Sequence, residues 1–184
     1  MGLLVFYVAL ALGISFLCSV LEAVLLSVTP SYITAVEVER PEAGARLRAL
    51  KTNVDRPLAA ILSLNTIAHT VGAAGAGAQA QVVFGEAWIT VASAVLTVLI
   101  LVFSEIIPKT IGAVFWRQLA PMVGGILAPM IVVMYPFVRL SEVITKVVGG
   151  GHGHGSMSRE EFEAMAEVGR EHGVLAESES FTIK

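Results

Sequence analysis

The sequence predicts an all-α membrane protein with three transmembrane helices, a cytoplasmic helical hairpin and a kinked juxtamembrane helix. Of its 184 residues, 55% are hydrophobic and 15% are charged, whereas an ordinary soluble domain is about a quarter charged. The few charges leave four long stretches uncharged, and a helix needs about 20 apolar residues to cross a bilayer. These stretches lack the alternation typical of strands, and backbone groups in lipid must pair internally, so we expect helices.

Composition and motifs also exclude several classes of protein. The mean hydropathy of +0.78 argues against a disordered chain, a nucleic-acid binder with a basic face and most soluble enzymes. The single cysteine, Cys18, excludes a disulfide scaffold and a multi-cysteine zinc site. No H-E-x-x-H, G-x-S-x-G or phosphate-binding loop occurs, and no aspartate lies in an apolar stretch. We therefore expect no enzymatic activity and no nucleic-acid partner.

The first apolar stretch predicts a helix at about 3–28. Residues 1–21 carry no charge, and Thr29 followed by Pro30 disfavours further helix. The stretch is not expected to be a signal peptide, because no basic segment precedes it and no A-x-A cleavage site follows it. The next two stretches predict helices at about 57–79 and 87–110.

Residues 31–56 predict a short amphipathic hairpin divided by Pro41. They hold five basic and four acidic residues, whereas the loop at 79–86 has no basic residue. The excess of Lys and Arg places the hairpin in the cytoplasm, with the N-terminus and the 79–86 loop outside. The expected location is the cell inner (plasma) membrane, with several crossings and a cytoplasmic C-terminus.

A fourth uncharged stretch, at 118–138, is interpreted as part of a bent juxtamembrane helix at about 118–147. Pro121, Pro129 and Pro136 interrupt it, and each interior proline removes a backbone hydrogen bond and kinks a helix. A fourth crossing would also place the basic residues that follow on the outside. A true fourth crossing remains the alternative interpretation.

The transmembrane domain is thus expected to occupy 1–148, followed by a Gly/His linker at 149–157. Residues 158–184 predict an acidic helical segment, which begins with a capping box formed by Ser158 and Glu161. The histidines of the linker are interpreted as linker residues rather than as a metal site. We expect a further soluble domain to follow.

Polar side chains recur at helical spacing inside three of the apolar stretches. They are Ser15, Ser19 and Glu22 in the first helix, Ser63, Asn65, Thr66, His69 and Thr70 in the second, and Ser104, Glu105 and Lys109 in the third. Ionisable groups cost roughly 2.5–3.5 kcal/mol at the centre of a membrane helix and are functional candidates by default. Carboxylate, hydroxyl and amide oxygens are the ligands of hard cations such as Mg²⁺.

Each of these residues also has a plainer explanation. Serines and threonines in membrane helices often bond a backbone carbonyl or pack at helix contacts. Glu105 would then only pair with Lys109 near the interface, Glu22 would be solvated, and His69 would be a packing residue. The small-residue tract 72–78 would reflect close helix contact, within the fold or across a dimer.

Four segments resemble the CorC/CNNM (cyclin M) family of magnesium transport proteins. Residues 15–23 (SFLCSVLEA) are similar to its S-x-x-x-S-x-x-E-[TA]-A pattern, and residues 62–66 (LSLNT) to its L-x-x-N-[NT] signature. Residues 104–110 (SEIIPKT) are similar to its G-E-[IL]-x-P-K-[ST] motif, with Ser104 where glycine is usual. Residues 158–175 resemble the acidic link to a cytoplasmic pair of cystathionine-β-synthase-type (CBS) modules.

The resemblance implies a homodimer that exports Mg²⁺, coupled to Na⁺ entry, and that is regulated by its own CBS domain. The groups implied as metal ligands are the side chains of Ser19, Asn65 and Glu105, with backbone carbonyls of helix one and of Ser104. The residues implied to line the ion path, hold a coupling cation or compensate charge are Ser15, Glu22, Lys109, Ser63 and Ala23.

Two other functions stay open at this point. One is a membrane-anchored Mg²⁺ sensor or regulator that does not itself conduct, and the other is a purely structural dimer anchor for the soluble domain. A buried carboxylate of Glu105 facing a cavity would favour transport or sensing. A carboxylate facing lipid or bulk water would contradict both.

Overall fold

The structure, a computed structural model, describes residues 1–148, so the predicted linker at 149–157 and acidic segment at 158–184 lie outside the described residues. Every regular element within 1–148 is a helix, which confirms the all-α prediction for that part of the chain. Residues Met1–Thr145 form one compact unit, and the contacts discussed below lie within it.

Eight α-helices follow one another along the described chain. Their bounds are α1 (Gly2–Ser27), α2 (Pro30–Glu39), α3 (Pro41–Thr52), α4 (Asp55–Phe84), α5 (Ile89–Leu99), α6 (Ile107–Val114), α7 (Trp116–Val133) and α8 (Tyr135–Val148). A short 3₁₀ turn at Glu86–Trp88 precedes α5, and a π-helical segment at Ile100–Ile106 joins α5 to α6. The stretch predicted as one bent juxtamembrane helix is therefore divided into α7 and α8.

Within residues 1–148, four helical segments are long and apolar enough to cross a membrane. They are Gly2–Ser27, Asp55–Phe84, Glu86–Val114 and Trp116–Val133. The first three correspond to the predicted crossings. The fourth is α7, whose length and composition also allow it to cross, so its juxtamembrane placement stays a prediction.

The contact between α1 and α4 is the most extensive one between helices, and small residues make it close. A Cβ atom added to Gly72 would lie 2.3 Å from the Cβ of Ala11, and one added to Gly75 would lie 2.5 Å from the ring of Tyr7. Small residues let helix backbones approach in this way. The close contact predicted for the 72–78 tract is thus made with α1.

The hairpin of α2 and α3 is defined by caps, prolines and an ion pair. The hydroxyl of Thr29 accepts a hydrogen bond from the backbone N–H of Tyr32, which caps the start of α2. Pro41 occupies the first position of α3, where a missing N–H costs nothing. Arg48 of α3 pairs with Glu37 of α2, and this guanidinium lowers the pKa of the Glu37 carboxyl.

Lys51 fastens the hairpin to the end of α1. Its Nζ donates to the backbone carbonyls of Leu25 and Leu26, at 3.1 and 3.2 Å. Carbonyls in the last turn of a helix have no partner within the helix, so Lys51 satisfies two of them. Partial burial lowers the pKa of the Lys51 ammonium.

Candidate cation site

The third membrane segment changes its helical geometry where it carries its acidic residue. Pro108 has no N–H, so it cannot donate to the carbonyl of Ser104 four residues earlier. The backbone instead forms the π segment Ile100–Ile106, and the N–H of Ile107 bonds the carbonyl of Val102 five residues earlier. Pro108 therefore coincides with a break in the regular α-helix, and π segments occur frequently at functional sites.

Glu105 emerges from the π segment and is held from two sides. Its side chain is only 24% exposed. Oε1 accepts a hydrogen bond from Nδ2 of Asn65, on α4, at 3.2 Å. Oε2 lies 3.2 Å from Nζ of Lys109, one turn further along the third segment. The pairing with Lys109 in the plainer interpretation therefore exists, but α4 supplies a second partner.

Lys109 also reaches α1. Its Nζ lies 3.4 Å from Oε2 of Glu22, whose side chain is 20% exposed. Glu22 is therefore ion-paired, and the interpretation that it is solvated is wrong. One ammonium thus lies between two carboxylates, which leaves the group of three with a net negative charge.

His69 connects the same cluster to the middle of α1. Its Nε2 lies 2.6 Å from the hydroxyl of Ser15, a fully buried residue, and 3.9 Å from Oε1 of Glu105. The sequence interpretation assigned His69 to packing and placed it outside the candidate site. The signal that could have included it was its position one turn after Asn65 on the same helix.

Two buried oxygen atoms have no hydrogen-bond partner within the described part of the chain: the hydroxyl of Ser19 and Oδ1 of Asn65. A buried polar group without a partner costs roughly 1–3 kcal/mol. Ser19 lies on α1 between Ser15 and Glu22, which both contact the cluster. Asn65 contacts the carboxylate of Glu105 through its other amide atom, and hydroxyl and amide oxygens without a partner are suitable ligands for a hard cation.

The other sequence candidates have different positions. The hydroxyl of Ser104, fully buried, donates to the carbonyl of Leu12 at 3.3 Å. Ala23 packs against Gly112 of α6, where an added Cβ would lie 2.7 Å from the Cβ of Ala23. Ser63 is half-buried, and its hydroxyl forms no hydrogen bond to any residue within 1–148. The structure therefore brings Ser15, Glu22, Asn65, Glu105 and Lys109 together, and it does not join Ser63 to them.

The donor atoms in this cluster are almost all oxygens. Residues 1–148 contain no group of three or more His, Cys, Asp or Glu side chains placed to hold a metal ion. A cation here would therefore need amide, hydroxyl or backbone carbonyl oxygens beside the carboxylate of Glu105. Such a donor set suits a hard cation better than zinc, copper or iron.

Known sequences match nearly the whole length of the chain. The family described as the cyclin M transmembrane N-terminal domain matches residues 6–179. A UPF0053 protein of Synechocystis sp. is 32% identical over 180 residues, which cover 98% of this chain and 51% of that protein. The UPF0053 inner membrane protein YfjD of Escherichia coli is 30% identical over 132 residues, which cover 68% of this chain and 31% of that protein.

A plant relative shows the same pattern of coverage. A DUF21 domain-containing chloroplastic protein of Arabidopsis thaliana is 29% identical over 181 residues, which cover 96% of this chain and 28% of that protein. The chain thus spans about half, or less, of the length of the curated relatives it matches.

Proposed function

This multi-pass membrane chain belongs to the cyclin M transmembrane N-terminal domain family, and on that premise we propose that it is the transport domain of a magnesium transporter. The observation that carries the proposal is the position of the Glu105 carboxylate. Its carboxylate lies between membrane helices, held by Asn65 on one side and Lys109 on the other. Intramembrane ionisable groups of this kind mark ion pathways by default.

We propose that Mg²⁺ binds to Glu105, Asn65 and Ser19. Glu105 would supply the negative charge. The hydroxyl of Ser19 and Oδ1 of Asn65, which have no hydrogen-bond partner within the described residues, would supply two further oxygen ligands. The carbonyl of Ser104 is a further donor, because Pro108 cannot bond to it. Mg²⁺ loses water reluctantly and prefers octahedral oxygens, so these groups must replace part of its hydration shell.

Lys109 compensates charge when no cation is bound. An ionised carboxylate within a membrane segment is costly when it has no partner, so Glu105 needs a positive partner in the empty site. An arriving cation takes the place of the Lys109 ammonium at Oε2, and the ammonium keeps Glu22 as its partner. Because binding competes with an existing ion pair, affinity stays modest and the cargo can be released.

The finer parts of the proposal rest on the sequence. We propose three crossings, with the N-terminus outside and the hairpin of α2 and α3 in the cytoplasm of the inner membrane, from the distribution of Lys and Arg. We also propose a homodimer, Mg²⁺ export coupled to Na⁺ entry and regulation by a CBS domain, from the resemblance of the motifs.

A flux measurement tests the proposal. The purified chain is placed in liposomes that contain a Mg²⁺-sensitive dye, with and without a Na⁺ gradient. The wild-type chain should move Mg²⁺, and Glu105→Gln, which keeps shape but removes charge, should reduce the rate by about ten-fold or more. Glu39→Gln is the matched control, because Glu39 is an exposed acid at the end of α2 and its variant should transport normally.

The same experiment can favour the alternative function. If wild-type liposomes show no flux while titration calorimetry shows Mg²⁺ binding that Glu105→Gln removes, the chain is a membrane-anchored sensor. If neither flux nor binding depends on Glu105, both functions are contradicted.

A further inference from the structure

A polar cavity lies where the charged hairpin meets the membrane helices. It has a volume of about 300 Å³ and is formed by α3, the start of α4 and α7. Its polar side is made by Arg46, Asn53 and Arg56, and its apolar side by Ala49, Leu50, Pro57, Gly124, Ala128 and Ile131. It shares no residue with the candidate cation site.

The polar side of this cavity is positively charged. None of its nine lining residues is acidic. Nε of Arg56 lies 2.9 Å from Oε1 of Glu142, and Arg139 lies 3.0 Å from the other oxygen of the same carboxylate. A single carboxylate is thus shared by two guanidinium groups, so the charge of Arg56 is only partly compensated.

Arg46 is also available to a ligand. Its contact with Glu42 is 3.4 Å long and both side chains are largely exposed, and such surface pairs contribute little free energy. A guanidinium has five N–H donors in a fork that fits the oxygens of a phosphate.

The apolar side of the cavity belongs to a helix long enough to lie in lipid. α7 approaches α3 at Gly124, where an added Cβ would lie 3.0 Å from the Cβ of Arg46. From that contact, Ala128 and Ile131 continue along α7 at intervals of about one helical turn. The cavity therefore has a cationic end and an apolar end within one small volume.

We propose that this cavity binds an anionic phospholipid. The phosphate would lie between Arg46 and Arg56, and the glycerol and the start of an acyl chain would lie along Ala128 and Ile131. The cavity lies at the end of a membrane-spanning helix, beside the charged hairpin, which is the depth of lipid headgroups. A soluble phosphate would use only the cationic end, whereas a phospholipid uses both. The proposal rests on the membrane placement of α4 and not on ion transport.

Native mass spectrometry of the purified chain with added lipid tests this inference. We expect phosphatidylglycerol to bind more tightly than phosphatidylcholine. Each basic residue near an anionic lipid contributes about 1 kcal/mol, or about five-fold in affinity. Arg46→Gln and Arg56→Gln should therefore each weaken phosphatidylglycerol binding by about five-fold and phosphatidylcholine binding by less, because the choline cation already compensates the charge of that phosphate.

A control variant separates this site from general attraction of the lipid to the basic hairpin. Arg40→Gln removes an exposed charge of the same hairpin outside the cavity. This variant should keep the preference for phosphatidylglycerol. An equal loss in Arg40→Gln, or no loss in the Arg46→Gln, Arg56→Gln double variant, would overturn the proposal. Displacement of the lipid by millimolar inorganic phosphate would also overturn it, in favour of a soluble phosphate ligand.

Discussion

α1 and the third membrane segment meet at the same charged cluster but are built in different ways. α1 is one uninterrupted helix of 26 residues with seven buried residues. The third segment changes from α to π and back to α, and the described part of it at Ile89–Leu99 has no buried residue. Glu105 and Lys109 lie beyond the loosely packed α5, where the third segment becomes irregular, and α1 presents Glu22 to Lys109.

This difference indicates a division of roles. Regions that open or move are those with few buried apolar contacts, and here α5, the first part of the third segment, meets that description while α1 does not. Changes in the packing of α1 should therefore act mainly on stability. Changes in the third segment should act mainly on the cation and leave the fold in place.

The largest effect is expected from Gly72→Val, which forces α4 away from α1. Its Cβ would lie 2.3 Å from the Cβ of Ala11 and 3.2 Å from the backbone Cα of the same residue. Overpacking of this kind costs about 1–3 kcal/mol or more, so thermal unfolding in detergent should occur at a markedly lower temperature. Gly77→Val is the matched control, since nothing lies within 4 Å of its added Cβ. Equal stability of the two variants would contradict the division of roles.

Pro108→Ala should change cation binding more than stability. The new N–H can bond the carbonyl of Ser104, which favours regular α-helix over the π segment and turns Glu105 away from Asn65. We expect Mg²⁺ affinity in titration calorimetry to fall by about ten-fold, or about 1.4 kcal/mol, without a lower unfolding temperature. Pro121→Ala, in α7, removes a proline from another helix and should bind normally. Unchanged Mg²⁺ affinity in Pro108→Ala would show that cation binding does not depend on the π segment.

Lys109→Met removes the positive charge that competes with a cation. An ion pair of partly exposed groups contributes up to about 1 kcal/mol, so Mg²⁺ should bind up to about five-fold more tightly, as calorimetry would measure. Flux in liposomes should be slower, because release then lacks the returning ammonium. Weaker binding in this variant would show that Lys109 supports the cation instead of competing with it.

The smallest effect is expected from Lys51→Met, at the opposite end of α1 from the Gly72 contact. The variant loses the hydrogen bonds to the carbonyls of Leu25 and Leu26, which should lower the free energy of unfolding by about 1 kcal/mol. Mg²⁺ affinity should stay within two-fold of the wild-type value, by the rough rule that distant sites act independently. Arg40→Met, at an exposed position, is the control. A large loss of Mg²⁺ affinity would show that the hairpin controls the site.

The general architecture could be predicted because the membrane makes charge placement informative. Uncharged stretches locate the helices, but the predicted end of the second helix, at about 79, is too early. The helix continues to Phe84 and ends at Gly85, whose φ of +83° suits glycine. The π segment could not be predicted, since a proline indicates which hydrogen bond is missing and not how the backbone adjusts.

The sequence predicts which residues belong to the candidate site, but not which of them contact each other. Spacing placed Asn65, Glu105 and Lys109 on their helices, and a contact between Glu105 and Lys109 follows from an interval of four residues. The contacts to α1 depend on the rotation of each helix about it. That rotation is set by close contacts at small residues such as Gly112. The sequence shows that these residues are small, but not which residue of the neighbouring helix each one contacts.

The ion pair between Glu22 and Lys109 cannot form until Lys109 has been synthesised. The 87 residues from Glu22 to Lys109 take about 4–17 s to synthesise at typical rates of translation. The last turn of α1 contains no basic residue, so during that interval the newly made helix carries a carboxylate without its eventual partner. The ion pair of α1 is therefore completed only after the third membrane segment has been made.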